Sequence, residues 1–257
     1  MIIRKSQAEL NLMREAGRIV AEVLELLARS IRPGVSTREL DKLAEELIRR
    51  RGAEPAFKGY RGFPASLCIS INEEIVHGIP RADRILQEGD VASVDVGARY
   101  RGFYGDAART FPVGDVGPEK KRLLDVTNEA LWVGIGQAQV GNRLSDISAA
   151  VQRHVESHGY SVVRDFVGHG IGRNLHEEPQ VPNFGEPGRG PRLKAGMVLA
   201  IEPMVNEGGP EARLLEDRWT AVTQDGSWSA HFEHTVAITE AGPWILTLLD
   251  GEERLMA

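Results

Sequence analysis

Apolar residues near the N-terminus recur at three- and four-residue steps. Met13, Ala16, Val20, Val23, Leu24, Leu27 and Ile31 fall on one helical face, which predicts a helix with one buried stripe. Ser6 and Glu9 ahead of this run have the spacing of a reciprocal helix cap, and Pro33-Gly34 ends it. A second run opens with Ser36 and Glu39, carries Leu40, Leu43, Ala44, Leu47 and Ile48 inward, and stops at Gly52. From about 65 to 112 the period shortens. Ser66–Ile71 and Val91–Val96 are rich in β-branched residues and are punctuated by glycines at 78, 89, 97, 102 and 105, which predicts strands and hairpins. Helices are expected again over 118–139, with Pro118 in the first turn, and over about 144–158, with Leu144, Ile147, Val151 and Val155 on one face. Strands follow to about 247, interrupted by a Pro/Gly-rich loop at 182–191.

The pattern contains a repeat. An offset of 107 residues carries Gly34 onto Gly141, Leu40 onto Ile147, Ile48 onto Val155 and Gly52 onto Gly159. Further along, Gly89-Asp90-Val91 falls on Gly196-Met197-Val198, Val94 on Ile201, and Asp95 on Glu202. Two amphipathic helices often look alike. One offset held over some sixty positions, ending with an acid on an acid, points to two similar halves, approximately 1–112 and 113–248. Each half would be helices followed by antiparallel strands, and the two would share one α+β unit. The repeat also predicts that Asp95 and Glu202 face each other across an approximate two-fold axis. The expected domain organisation is a single unit, 1–257, without a linker between the halves.

Composition narrows the class. The chain has 257 residues, 42% of them hydrophobic, enough to bury a core without disulfides. Cys68 is the single cysteine, so an intramolecular disulfide is excluded. A net charge of −6 argues against a protein built mainly to hold nucleic acid. The N-terminus lacks a secretory h-region and no apolar run approaches about 18 residues, so a cytoplasmic protein with no membrane partner is expected.

Four acids lie in strand-like, apolar surroundings: Asp95, Asp106, Glu202 and Glu233. A buried carboxylate without a partner is very costly. Each taken alone has an ordinary explanation as a strand end, an edge position or half of a local ion pair. Together they carry about −4 of charge with no comparable set of lysines or arginines near them in sequence, and two divalent cations would neutralise that. His169 in Gly168–Gly172, His176 and His77 are the accompanying imidazoles. A lone histidine beside glycine is more often a turn residue than a ligand. The GHGIG run lacks the ending of a phosphate loop, and the six residues between His169 and His176 do not give the i, i+4 spacing of a helical zinc protease. Oxygen ligands with one imidazole suit Mn, Fe(II), Co or Zn better than Cu(I) or iron–sulfur clusters. Two such metals about 3.5–4 Å apart are a hydrolytic design, in which they activate a water and polarise a carbonyl.

The stretches SLCISINEEIVHGIP, SVDVG, YGDAART, GHGIGRNLHEEP, AIEPM and HFEHT resemble type I methionine aminopeptidases in order and spacing, over about 5 to 248. The resemblance implies a pita-bread (creatinase/aminopeptidase) fold: an antiparallel sheet covered by helices, with an internal pseudo-two-fold repeat. It implies that Asp95 chelates one divalent metal ion, that Asp106 and Glu233 bridge two, and that His169 and Glu202 complete the second. Glu202 is also the implied general base. His176 would steady the carbonyl oxygen, and His77 would contact the peptide nitrogen after the cleaved residue. Phe57, Tyr60, Phe63, Cys68, Leu175 and Trp219 match the residues around the methionine side chain, although from the residues alone ordinary core packing is the favoured account. Leu175 departs from the phenylalanine expected before His176, which bears on the tightness of the pocket and not on the reaction. Cys68 as a nucleophile beside His77 is unnecessary where metal-activated water does the work. Asn72, Glu74 (through its backbone) and Ser229 match a monovalent-cation site.

The implied activity is removal of the initiator methionine from nascent polypeptides, favouring a small second residue. The chain lacks the Cys/His-rich extension of some relatives, so a stand-alone monomer is expected. Arg49–Arg51 at a helix C-terminus and Lys120–Arg122 read first as a dipole partner and a solvated face; ribosome contact is the other reading. Two further functions remain open at this level: a proline-specific peptidase of the same fold, and a non-catalytic relative serving as a binding module.

Overall fold

The computed structural model describes residues 1–249 and Gly251; the remainder of the expected 1–257 unit lies outside the described residues. Helix α1 (Gln7–Ser30) begins where the sequence predicts. Ser6 Oγ accepts from the Glu9 N–H, and Glu9 accepts from the Ser6 N–H in return. Helix α2 (Thr37–Arg50) has the same reciprocal cap between Ser36 and Glu39. Helices α3 (Gly117–Gly136) and α4 (Leu144–Ser157) open the second half. Helix α3 stops three residues short of the expected 139 because Gln137 closes its last turn and its carbonyl accepts from the Asn142 side chain.

In the first half β1 (Glu54–Pro55), β2 (Leu67–Ile71), β4 (Val91–Tyr100) and β5 (Phe103–Pro112) form one antiparallel sheet. Strands β4 and β5 pair along their whole length, from Val91 with Pro112 to Tyr100 with Phe103. In the second half β7 (Gly168–Gly170), β8 (Glu177–Val181), β9 (Val198–Ile201), β14 (His234–Thr239) and β15 (Gly242–Ile245) form a five-stranded sheet in the order 15-14-9-7-8. Two three-stranded sheets complete the framework. One joins β6 (Ser161–Val162), β10 (Met204–Asn206) and β13 (Ser229–His231); the other joins β3 (Glu74–Val76), β11 (Ala212–Leu214) and β12 (Ala221–Thr223). All the recorded pairings are antiparallel.

The repeat is visible in the backbone. Moving α2 by 107 residues gives the bounds of α4. Gly34 and Gly141, Gly52 and Gly159, and Gly89 and Gly196 all have positive φ, between 73° and 97°, a conformation glycine adopts without a Cβ penalty. The isolated bridge Ser36–Ile85 recurs as Arg143–Arg192. The halves meet where the Glu233 N–H donates to the Ala108 carbonyl at 2.9 Å and Thr110 Oγ1 donates to the His231 carbonyl at 2.8 Å. Each half has its own core, Ile19 to Val113 in the first and Leu123 to Leu248, joined by Val91, in the second. A third cluster draws on both, packing Met13, Phe57, Phe63 and Cys68 with Ile171, Leu175 and Val198. Burying these faces is the main force holding the halves together. No helix among the described residues is long and apolar enough to cross a membrane. The two basic triplets are largely engaged locally: Arg49 with Glu45, Arg51 with Glu22, and Lys121 with Asp125.

Candidate metal centre

The four acids converge at the seam of the halves. Asp95 sits in the middle of β4, opposite Cys68 on one side and Ala108 on the other. Asp106 lies on β5, where its N–H donates to Thr235 Oγ1 and its carbonyl accepts from the same hydroxyl. Glu202 follows the last residue of β9 and precedes Pro203, which ends that strand; its carbonyl accepts from Asn183. Glu233 occupies the break between β13 and β14. His169 comes from β7. Its Nδ1 is 2.9 Å from the Gly170 carbonyl; a proton donated there leaves Nε2 with its lone pair directed at the acids. That nitrogen is 3.6 Å from Glu202 and 4.0 Å from Asp106.

Ligand atoms of Asp106, His169 and Glu233 lie within 4.8 Å of one another, and so do those of Glu202, His231 and Glu233. Glu233 belongs to both sets, the position a bridging ligand needs. The Asp95 carboxyl lies against that of Asp106. Burial pushes Asp95 up to about 7. It also raises Asp106, Glu202 and Glu233 well above the usual carboxylate range, with the neighbouring carboxylates adding to each. The basic partners nearest to Asp106 and Glu202 are the rings of His169 and His231, and burial lowers these to about 4 and about 3, so both are neutral. Asp95 Oδ1, Asp106 Oδ1, Glu233 Oε1 and His231 Nε2 are buried and make no hydrogen bond. Buried polar atoms are normally satisfied. Three carboxylate oxygens and a ring nitrogen orphaned around one point fit divalent cations, as does the chemistry of the donor set.

His231 is the member that sequence reasoning missed. It alternates with Glu233 and has an ordinary reading as a strand histidine. A signal was present, because residues two apart on a strand share a face.

The acids form the floor of a cavity of about 200 Å³. Phe57, Tyr60, Phe63, Cys68, His77, Leu175, His176 and Trp219 all line it. Phe63 meets Trp219 edge-on at 5.1 Å, and His77 meets Phe166 the same way at 5.5 Å. His176 stacks on Tyr60, its Nδ1 2.9 Å from the Tyr60 hydroxyl, and its ring is 4.2 Å from that of His169. Burial lowers His176 to about 3 and lowers His77 as well. The Cys68 thiol is pushed well up by burial and by the facing carboxylates, so it stays protonated and serves as wall, not nucleophile. Val76, Arg61, Phe166, Val167 and Met204 also line the cavity. These wall residues sit at strand ends and in loops, where no sequence period marks them.

Asn72, Glu74 and Ser229 are not among the residues that line this cavity. Asn72 has φ 59° and its carbonyl accepts from the Ser229 N–H at 2.9 Å. Glu74 opens β3, and its carboxylate accepts from the Ile71 N–H.

The model of metallopeptidase family M24 matches residues 11–240. A methionine aminopeptidase of Clostridium acetobutylicum is 56% identical over 250 residues, covering 97% of this chain and all of that one. The crystal structure of the methionine aminopeptidase of Thermotoga maritima superposes with a TM-score of 0.95 at 49% identity, covering 96% of this chain and all of that chain. A prolidase of Pyrococcus furiosus shares the fold at a TM-score of 0.77 and 25% identity, over 95% of this chain and 65% of its own.

Proposed function

The chain belongs to metallopeptidase family M24, with its pita-bread fold, and from that premise we propose that it is a metal-dependent methionyl aminopeptidase that removes the initiator methionine from nascent polypeptides. The observation that carries this reading is the convergence of Asp95, Asp106, His169, Glu202 and Glu233 on the floor of a cavity walled by Phe57, Phe63, Cys68 and Trp219. A thioether side chain fits an aromatic and sulfur-containing wall.

On this reading Asp95, Asp106, His169, Glu202 and Glu233 would hold two divalent ions. Bound there, such ions would supply a nucleophilic water at neutral pH and polarise the scissile carbonyl. Glu202, flanked by neutral His169 and His231, accepts the proton from the attacking water. Donation from the Tyr60 hydroxyl to His176 Nδ1 places the His176 proton on Nε2, which then donates to the oxygen that gains charge at the carbonyl. His77, neutral through burial, contacts the peptide nitrogen beyond the cleaved residue. Its φ of 63° is unusual for a residue with a Cβ, the kind of local strain found at working sites.

The fine points extend the same reading: a small residue preferred after the methionine, a monovalent cation at Asn72, Glu74 and Ser229, and a monomeric catalytic unit spanning 1–257. Its partners are polypeptide N-termini in the cytoplasm, with transient ribosome contact. The test is the full chain, loaded in turn with Fe(II), Mn(II), Co(II) and Zn(II) without oxygen, on Met-Ala-Ser and on Xaa-Pro peptides. Release of methionine from the first is expected. Cleavage of the Xaa-Pro peptides alone would replace this reading with the proline-specific one.

A further inference from the structure

The second half carries another set of metal-type donors, none of which lines the cavity. Glu129 on α3 and His154 on α4 face each other, with His154 Nε2 3.2 Å from Glu129 Oε2. His158, one turn beyond His154 at the end of α4, lies beside it with ring centroids 4.5 Å apart and the rings tilted by 43°. One donor atom from each of the three lies within 4.8 Å of the others. His154 Nε2 is buried and makes no hydrogen bond despite the carboxylate beside it. For tetrahedral bonds of about 2.0–2.1 Å, two ligand atoms on one zinc stand about 3.3 Å apart, close to the 3.2 Å between His154 Nε2 and Glu129 Oε2. His158 Nδ1 is 2.8 Å from the His154 carbonyl and 3.4 Å from Ser157 Oγ. A proton donated to that carbonyl leaves His158 Nε2 as the free donor.

The repeat supplies an independent argument. At the 107-residue offset Glu129 corresponds to Glu22, His154 to Leu47 and His158 to Arg51. In the first half Glu22 and Arg51 form an ion pair at 2.6 Å that ties α1 to the end of α2. The second half keeps the glutamate and replaces the guanidinium by two imidazoles. The joint between the helices keeps the same anion but sets imidazoles beside it, while the Arg122 guanidinium donates to the His158 carbonyl at 3.0 Å.

We propose that Glu129, His154 and His158 bind a borderline divalent transition ion of the zinc type, clamping α3 to α4 independently of the catalytic centre. Two imidazoles and one carboxylate suit Zn, Ni or Cu(II) better than Mg or Ca. Glu129 is exposed and the histidines partly so, which leaves water to complete the coordination.

The test compares the full wild-type chain with the double variant His154→Gln, His158→Gln, each stripped, reloaded with Zn2+ and dialysed before metal counting. The wild type should retain one equivalent more than the variant, while both hydrolyse Met-Ala-Ser at the same rate. Titration with Cu2+ should give the wild type a spin-resonance signal with couplings from two nitrogens that the variant lacks. A second variant, His158→Arg, restores the first-half ion pair; it should lose the extra equivalent and, after the same zinc reloading, melt as high as the wild type. Equal zinc content and equal spectra in wild type and double variant would overturn the proposal, whatever the peptidase assay shows.

Discussion

Asp95 and Glu202 hold the same place in the repeat, yet the strands that carry them differ. Strands β4 and β5 run ten residues each without a break and pair throughout. The corresponding stretch of the second half is cut twice. Pro203 separates β9 from β10, and residues 232–233 separate β13 from β14. A proline cannot donate to a ladder, so the sheet ends there. The offset also slips, from 107 between Asp95 and Glu202 to 127 between Asp106 and Glu233, because 207–228 is inserted and folds largely as the β11–β12 hairpin. The unbroken hairpin gives the first half a stiff platform with two acids. The breaks in the second half turn Glu202, His231 and Glu233 inward and make room for a wall, since the insertion brings Trp219 to the cavity. The repeat thus supplies the scaffold, and the breaks in the second half complete a pocket whose other wall, Phe57 to His77, comes from the first half.

The strongest way to break this comparison is to remove one floor acid from each half. Asp106→Asn and Glu233→Gln should both lose metal and fall to background turnover, measured by metal counting and methionine release from Met-Ala-Ser. Equal losses fit a pair of bridging ligands. Near wild-type turnover in either variant would show that the halves do not share the load.

Next in size are the histidines of the wall. His176→Ala from the second half should keep its metals and lose about 10²–10³-fold in kcat, the effect of removing one donor to developing charge. His77→Ala from the first half, which loses the contact to the peptide nitrogen, should keep its metals and slow the reaction. A collapse of metal content in His77→Ala would make it a ligand and not a contact to substrate.

Titration separates the groups by sign. The four acids have folded pKa values above their unfolded ones, so the folded metal-free chain binds more protons and loses stability as pH rises through the folded values. His77, His169, His176, His231 and His234 are lowered. They make stability rise with pH only up to the unfolded value of about 6.5. Below that value the two groups oppose; above it the acids act alone. The melting temperature of the stripped chain should therefore fall by several degrees between pH 6.5 and 8.5. The metal-loaded chain, whose ligands are already deprotonated, should hold steady. A flat profile for the stripped chain would mean that the acids are not packed against one another.

Much of this was legible in the chain because it is local or duplicated. The caps at Ser6 and Ser36 need only four residues, and both formed as read. The 107-residue offset places Asp95 against Glu202 without any knowledge of the sheet. Three things were not legible. The length of β4 beyond Val96 depends on its pairing with β5, not on its own residues, which include Gly97 and Ala98. The slip to 127 is set by an insertion whose fold is decided by packing. The wall residues Phe166 and Met204 look like any core residue until the break after β9 exposes their faces to a cavity. Glu129, His154 and His158 were passed over for a related reason: two of them read as ordinary polar positions of α4, and the third comes from another helix.

The smallest effect tests the repeat at its most local. Ser36 Oγ accepts from the Glu39 N–H at 3.2 Å and donates to the Glu39 carboxylate at 2.7 Å. At the matching position of the second half, the Arg143 N–H donates to Asp146 at 2.7 Å, but the arginine side chain offers no acceptor and instead donates to the Gly190 carbonyl at the surface. Replacing a serine cap by alanine costs about 1 kcal/mol, and for a chain of this length each kcal/mol lowers Tm by about 2–4 °C. Ser36→Ala should show that shift in a calorimetric melt. Arg143→Ala should cost about half as much or less, because it leaves the Asp146 arm intact and removes only an exposed hydrogen bond. Equal shifts would mean that the two helix starts are held by their tertiary bridges, Ser36–Ile85 and Arg143–Arg192, and that the caps contribute little in either half.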